Sequence, residues 1–498
     1  VVMKKLSCLL LMLIAFSTHA QETLVGHSFF RDHDQNPAFA DDKPSICDVG
    51  FQKDTTKASF LKKLKQHFFD QYLFEVHEKN VNLYISPVVN FQLGQNWLDS
   101  DGPSLFQNTR GLYVNGELLK NFSFSSAFVE NQARFSDYET NFITNHGEFY
   151  PNASSIQQNG VVPGGGRTKP FKDGGYDYAY AIGSFLYKPI ENLEIRVGNA
   201  PSFIGSGYRS LILSDNSYQA PSLDVKYSFL KKWSYGARRT RLFNLIRKNA
   251  FSTVEGYYQP KASALHYITY DVTPKVTIGF FENAIWSMGD TITEKPTGLY
   301  YAPIPFLGLL QSENFSLYGF DATETVGEKV RFYQQFVLSG FKSQNMGFQL
   351  GVRFYDLLPN SMLQFEYNKV GTDLYTAEAP NMSYTHYNLP LAHPKGQGFD
   401  ELIVRANISI KRFYGESKTV CYWLKNYNER ILLPMNNESV EIEDVIVHQQ
   451  FELGYRINPK INFCFFGRAV LRVSDIEPTQ LLLHVGLSTN LFNSYNDY

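Results

Sequence analysis

The segment from Phe451 to Ile461 reads FELGYRINPKI. Phe451, Leu453, Tyr455 and Ile457 alternate with Glu452, Gly454 and Arg456, and the run ends in Asn458-Pro459-Lys460. A two-residue period puts apolar side chains on one face of a strand and charges of both signs on the other. Proline fixes φ and brings no amide hydrogen to a ladder, so Pro459 marks a strand end. Val272-Thr273-Pro274-Lys275-Val276 is a near copy of this turn, and Tyr187-Lys188-Pro189-Ile190 begins a third.

Working outward, the same alternation runs through Leu193–Gly198 (LEIRVG), Leu223–Phe229, Gln349–Phe354, Leu363–Asn368 and a last strand from Leu481 to Leu491. A soluble sandwich buries one strand face and gives the same pattern, so the connections must decide. Tight Pro-Lys turns alternate with long links at Tyr138–Tyr176, Gly198–Ser222, Met288–Val330, Gly371–Asp400 and Leu424–His448. Short turns on one side and long loops on the other are how bacterial outer-membrane barrels are built. Asn115-Gly116 is a dipeptide that closes two-residue hairpins. The expected fold class is therefore all-β, an antiparallel transmembrane β-barrel with on the order of 14 to 18 strands.

The N-terminal sequence fits export. Lys4 and Lys5 precede the apolar run Leu6–Phe16, and Thr18-His19-Ala20 offers a small-residue cleavage site, which makes residues 1–20 a signal peptide. Residues 21–80 form a periplasmic segment in which Thr56–Phe74 has an amphipathic helical pattern, and residues 81–498 form the barrel. No later run of about 18 apolar residues remains for a helical span. The 32 Tyr and 41 Phe stand beside only 19% charged residues, as suits a barrel embedded in outer-membrane lipid. A net charge of -2 gives no nucleic-acid footprint. Cys47, Cys421 and Cys464 are too widely spaced for a disulfide framework or a Cys-x-x-Cys metal site.

Motifs that suggest chemistry are incomplete. Ile204–Asn216 (IGSGYRSLILSDN) lacks the third glycine of a dinucleotide loop, and Val161–Gly175 lacks the Lys-Ser/Thr of a P-loop. Ser210 and Ser214 have no nucleophile elbow around them, and His386 and His393 are too far apart for a helical zinc pair. No enzyme, metal or cofactor is expected. Tyr208, Arg209, Ser214, Asp215, Asn216, His386 and His393 are the candidate ligand-binding residues: they either pin the loops by hydrogen bonds or meet a sugar. Glu282 shares parity with Ile278 and Phe280, which points it at lipid unless the strand end is irregular or at the rim.

Several separated stretches also carry a family resemblance: VENQARF (Val129–Phe135), VGNAPSFIGSGYRSLILSDNSYQAPSLDVKYSF, ALHYITYDVTPKVTIGFFENAIW, RFYQQFVLSGF and YTHYNLPLAHPKGQGFDELIVRANI. In this order they resemble the Wzi-like capsule-assembly family, more particularly its Bacteroidetes branch, which includes proteins labelled gliding-motility protein RemB. The resemblance implies an outer-membrane barrel with periplasmic helices that holds surface or capsular polysaccharide without catalysis. Partners in motility or adhesion, and a solute porin, stand as the alternatives. The chain departs from the family pattern at Ser206 and at Ser339-Gly340, so the resemblance implies the fold but carries over no ligand specificity.

Overall fold

The structure, a computed structural model, describes residues 69–99, 101–119, 121–148, 159–247, 258–288, 296, 298–302, 304–306, 314–427 and 442–498. The expected signal peptide, Cys47 and most of the amphipathic helix lie outside the described residues. Eighteen antiparallel strands close into one barrel. In chain order they are β1 (Val81–Asn96), β2 (Leu105–Leu118), β3 (Phe122–Arg134), β4 (Gly175–Ile190), β5 (Leu193–Gly198), β6 (Ser222–Phe229), β7 (Trp233–Arg247), β8 (Tyr258–Thr273) and β9 (Val276–Ser287). There follow β10 (Phe315–Val326), β11 (Val330–Leu338), β12 (Met346–Tyr355), β13 (Ser361–Val370), β14 (Phe399–Ile410), β15 (Phe413–Tyr427), β16 (Ile442–Asn458), β17 (Phe463–Ser474) and β18 (Gln480–Thr489).

Each strand pairs with its neighbour in sequence, and the ring closes where Asn90–Asn96 of β1 meets Leu482–Ser488 of β18. Below that seam β18 has ended, and a short strand, Phe74–Glu78, takes its place against Val81–Ile85. Arg412 holds the chain just before this strand through Asp70, and Tyr72 is buried against Tyr84 and Ile461. Among the described residues each of the eighteen strands is paired with two neighbours, the closure that a spanning sheet requires.

Side-chain parity matches the sequence pattern and fixes what the barrel faces. Leu350 and Leu453 are exposed on the outside, while Gln349, Arg353, Gln364 and Asn368 are completely buried on the inside. At these positions the polar residues are the buried ones and the apolar residues the exposed ones, the reverse of a soluble strand. The described barrel is of the outer-membrane kind, and the chain resides in an outer membrane.

Four local expectations change. Asn115-Gly116 closes no hairpin: Asn115 sits in the ladder opposite Tyr84 and Ser125, and the chain turns at Leu119, whose φ is +55°. Gly116 is small because a Cβ there would lie 2.5 Å from the Asn82 carbonyl oxygen. The Met288–Val330 link contains β10, whose pattern Tyr318, Phe320, Ala322 and Glu324 is too weakly apolar to read as a lipid face. Leu491 lies beyond β18 and is buried in the lumen.

The fourth is Glu282, whose ladder with His266 is regular. It does point outward, but residues 298–302 and 304–306 fold over this patch of wall. The Phe306 amide donates to the Glu282 carboxylate, and Arg239 donates to the carbonyls of Tyr300 and Ala302. The rim is covered rather than irregular.

A closed barrel of this kind migrates faster unheated than boiled on a denaturing gel, and equal mobility would count against closure. Val485, midway along β18 on the lipid face, provides a second check. Val485→Arg should cost about 2–4 kcal/mol in reversible unfolding from lipid.

Candidate functional site

An eighteen-stranded ring is wide enough to enclose water unless chain fills it. Three segments do so here. Because β5 and β6 are only 6 and 8 residues long, the wall is notched between β4 and β7, and residues 199–221 enter the lumen there. Asn199 extends the ladder at the notch, accepting from the Gly183 amide and donating to the Ala181 carbonyl. Residues 371–398, between β13 and β14, fold in from the long-loop end. Residues 490–498 run back from β18 and rise through the interior.

The first segment carries IGSGYRSLILSDN. Gly205 has φ +119° and lies so close to the β11 wall that a Cβ would come within 2.2 Å of Gln335 Nε2, so only glycine fits. The next turn presents two backbone amides to one carboxylate: Tyr208 and Arg209 N–H donate to Glu366 at 2.6 and 3.0 Å. The Arg209 side chain is fully buried. Its Nε donates to Glu401 at 3.2 Å, and its Nη2 donates to Asp497 Oδ1 at 2.9 Å and to the Tyr422 hydroxyl at 3.0 Å. Asp497 also meets Lys418 at 2.8 Å and accepts from the Tyr208 hydroxyl at 2.8 Å. One guanidinium therefore joins the inserted loop, the wall at β14 and β15, and the C-terminal segment.

The other candidates are similarly engaged. Ser214 donates its hydroxyl to the Ala392 carbonyl, its amide donates to Leu391, and Asn216 Nδ2 donates to Pro390. The hydroxyls of Tyr375 and Tyr384 donate to the carbonyls of Leu211 and Ile212. His393 Nε2 lies 2.7 Å from Glu401 Oε2. His386 accepts from the Phe243 amide, and burial, with Lys261 nearby, pushes its imidazole down to about 3, so it is neutral. Two candidates border open space: Tyr208 and Asp215 line a cavity of about 250 Å³ beside the C-terminal segment.

That cavity was not legible in the sequence, because its walls come from β1–β4, β14–β18 and the C-terminal segment. It forms a slot along the barrel wall. Rings of Tyr178, Tyr180, Tyr414 and Phe466 alternate with the amides of Gln92, Gln107, Asn131 and Gln450. Four cations line it, Arg134, Lys418, Arg456 and Arg468, and four carboxylates, Glu139, Asp215, Glu416 and Glu452. Arg468 pairs with Glu452 at 2.7 Å, Tyr414 donates to the same carboxylate, and Lys418 is taken by Asp497. The wall is thus electrically balanced and its signs are interleaved.

The described part of the β3–β4 link is pinned by a further buried carboxylate. After α1 (Asp137–Asn145), Glu148 accepts from Arg167, Arg247 and the Tyr258 hydroxyl, each at 2.7 Å. Burial alone would raise the Glu148 carboxyl, but the hydrogen bonds from Tyr258, Arg167 and Arg247 hold it below the usual carboxylate range. A carboxyl depressed on folding stabilises above its unfolded pKa and loses that contribution as pH falls through the folded value.

Two outcomes follow for the inserted segments. Arg209→Ala leaves buried carboxylates without their cation and should cost about 3–5 kcal/mol in denaturant unfolding; Arg209→Lys should recover little, since one ammonium cannot replace the fork. Residues 159–174 of the β3–β4 link should stay protease-resistant from neutral pH down to about 4 and loosen below that. Cleavage that already rises at pH 6 would remove Glu148 as its anchor.

No family model and no curated protein matches the chain. Among solved structures it is similar to Wzi of Escherichia coli, described as an outer-membrane protein involved in group 1 capsule assembly and as a carbohydrate-binding β-barrel. The TM-score is 0.56 at 12% identity, over 95% of this chain and 100% of that one. The outer-membrane protein OprD of Pseudomonas aeruginosa gives a TM-score of 0.41 at 9% identity over 82% of this chain and 92% of that one, a likeness too distant to inform the site. At 12% identity the first likeness is one of architecture: this chain has a Wzi-like outer-membrane barrel fold.

Proposed function

We propose that the protein is a non-enzymatic outer-membrane barrel that binds surface polysaccharide and holds it at the cell. The observation that carries this reading is the filled lumen. Three chain segments occupy an interior that eighteen strands would otherwise leave as a channel, and a cavity that remains is lined by tyrosines, side-chain amides and charges of both signs. Aromatic rings cover the apolar faces of sugars and amides answer their hydroxyls, whereas bulk solute passage needs an unobstructed bore. The Wzi-like fold supports the same reading, since Wzi is described as carbohydrate-binding and as involved in capsule assembly. Tyr208 and Asp215 are the two sequence-derived candidates retained for the ligand.

A deletion strain should synthesise polysaccharide but shed it into the medium, measured as the ratio of released to cell-bound glycan. Capsule that stays fully attached, with only surface spreading lost, would favour an anchor for motility or adhesion proteins instead. Steady conductance typical of an open porin, recorded from the purified protein in planar bilayers, would reverse the binding reading in favour of solute transport.

A further inference from the structure

We propose that the outer face of β2 and β3 is an interface inside the membrane, and that its occupant is a second copy of this chain related by a two-fold axis along the membrane normal. Three successive rungs of the β2–β3 ladder turn outward there: Leu112 opposite Phe128, Arg110 opposite Glu130, and Asn108 opposite Gln132. Arg110 and Glu130 are exposed, as are Leu112 and Phe128. An outward ladder of this kind places one cation and one carboxylate side by side on the lipid face.

Neighbouring strands fix the depth of that rung. The row through Asn108 runs to Phe91 of β1 and on to Leu487 of β18, and Arg110 lies one rung nearer the short-turn end, beside Val89. β18 has 10 residues, a length that crosses hydrocarbon once, and Phe91, Leu93 and Val485 are exposed on the outside of β1 and β18. Arg110 and Glu130 therefore stand among lipid-facing residues, where an uncovered charge is costly. Another part of the wall shows what such charges need. Glu282 of β9 and Arg239 of β7 also point outward, and there the segment carrying Tyr300, Ala302 and Phe306 covers them with hydrogen bonds. Among the described residues, β2 and β3 receive no such cover.

The pattern across the ladder identifies the occupant. A two-fold axis along the membrane normal preserves depth and exchanges left with right, so β2 of one copy faces β3 of the other. Arg110 then meets Glu130 of the second copy, and Glu130 meets the second Arg110. The Asn108 and Gln132 amides exchange on one side of this rung, and Leu112 and Phe128 on the other. Each rung is its own complement, which is what an isologous interface requires. Val89 of β1 and Ala179 of β4 flank the charged rung, and both are short enough to let two convex walls close on its centre. The ion pairs then form away from water, where Coulomb attraction is weakly screened.

The test follows energy transfer between donor-labelled and acceptor-labelled copies of the full-length protein in liposomes. Wild type should show transfer that unlabelled wild type competes away. Arg110→Glu sets carboxylates against carboxylates and Glu130→Arg sets guanidiniums against guanidiniums, so each alone should associate about a hundredfold more weakly. Arg110→Leu, which suits lipid, should lose transfer as well. A mixture of the two reversals should recover it, and so should the double exchange Arg110→Glu/Glu130→Arg, with each variant keeping its heat-modifiable gel shift. No transfer by wild type, or transfer that survives both single reversals, would overturn the interface. Loss in the single reversals without recovery in the mixture or the double exchange would overturn the pairing of Arg110 with Glu130. A different membrane protein that co-purifies with wild type and is released by Arg110→Glu, with no transfer between copies, would overturn the second copy as occupant.

Discussion

Hydrocarbon leaves a backbone amide nowhere to find water, and the rest of this structure follows from that constraint. Every strand must pair on both sides, so the sheet closes, and β1 meets both β18 and the short strand Phe74–Glu78 because β18 alone does not reach the full height of its neighbour. Closure sends one half of each alternating pattern outward. Leucine and phenylalanine then face lipid, and glutamine, arginine and glutamate are forced inside, where they too need partners. A ring of eighteen strands creates an interior rich in unmatched polar groups, and the fold has to answer them.

The answer is chain rather than water alone. Glu366 points in from β13 and receives the Tyr208 and Arg209 amides of the inserted loop. Glu401 points in from β14 and receives the Arg209 side chain and His393. Lys418 points in from β15 and meets Asp497 of the C-terminal segment. Each inward charge has thus recruited a segment that enters the lumen from a different place. The inserted segments then pack on one another through Leu211, Ile212, Tyr375 and Tyr384, which gives the interior a hydrophobic core of its own inside a polar wall.

This division explains what was legible in the sequence. Alternation in FELGYRINPKI, and its copies, identified strands because period two is local, and Pro459 and Pro274 located turns for the same reason. Even the IGSGYRSLILSDN segment could be placed as a long connection between β5 and β6. Its partners could not: Arg209 lies 192 residues from Glu401 and 288 from Asp497, and no spacing rule links them. Asn115-Gly116 misled because the close approach of Asn82 demands a glycine in mid-strand as strictly as a hairpin does. The slot stayed invisible, since it is the volume left over once three distant segments have been packed.

That leftover space is itself informative. Elsewhere the lumen is matched closely enough that Lys261, fully buried, spends its ammonium on Ser383 and Thr385 of a loop. Beside the slot Arg468 pairs with Glu452 and Lys418 with Asp497, which keeps the wall polar. Tyrosine rings, side-chain amides and charges of both signs around one volume suit a hydroxyl-rich guest.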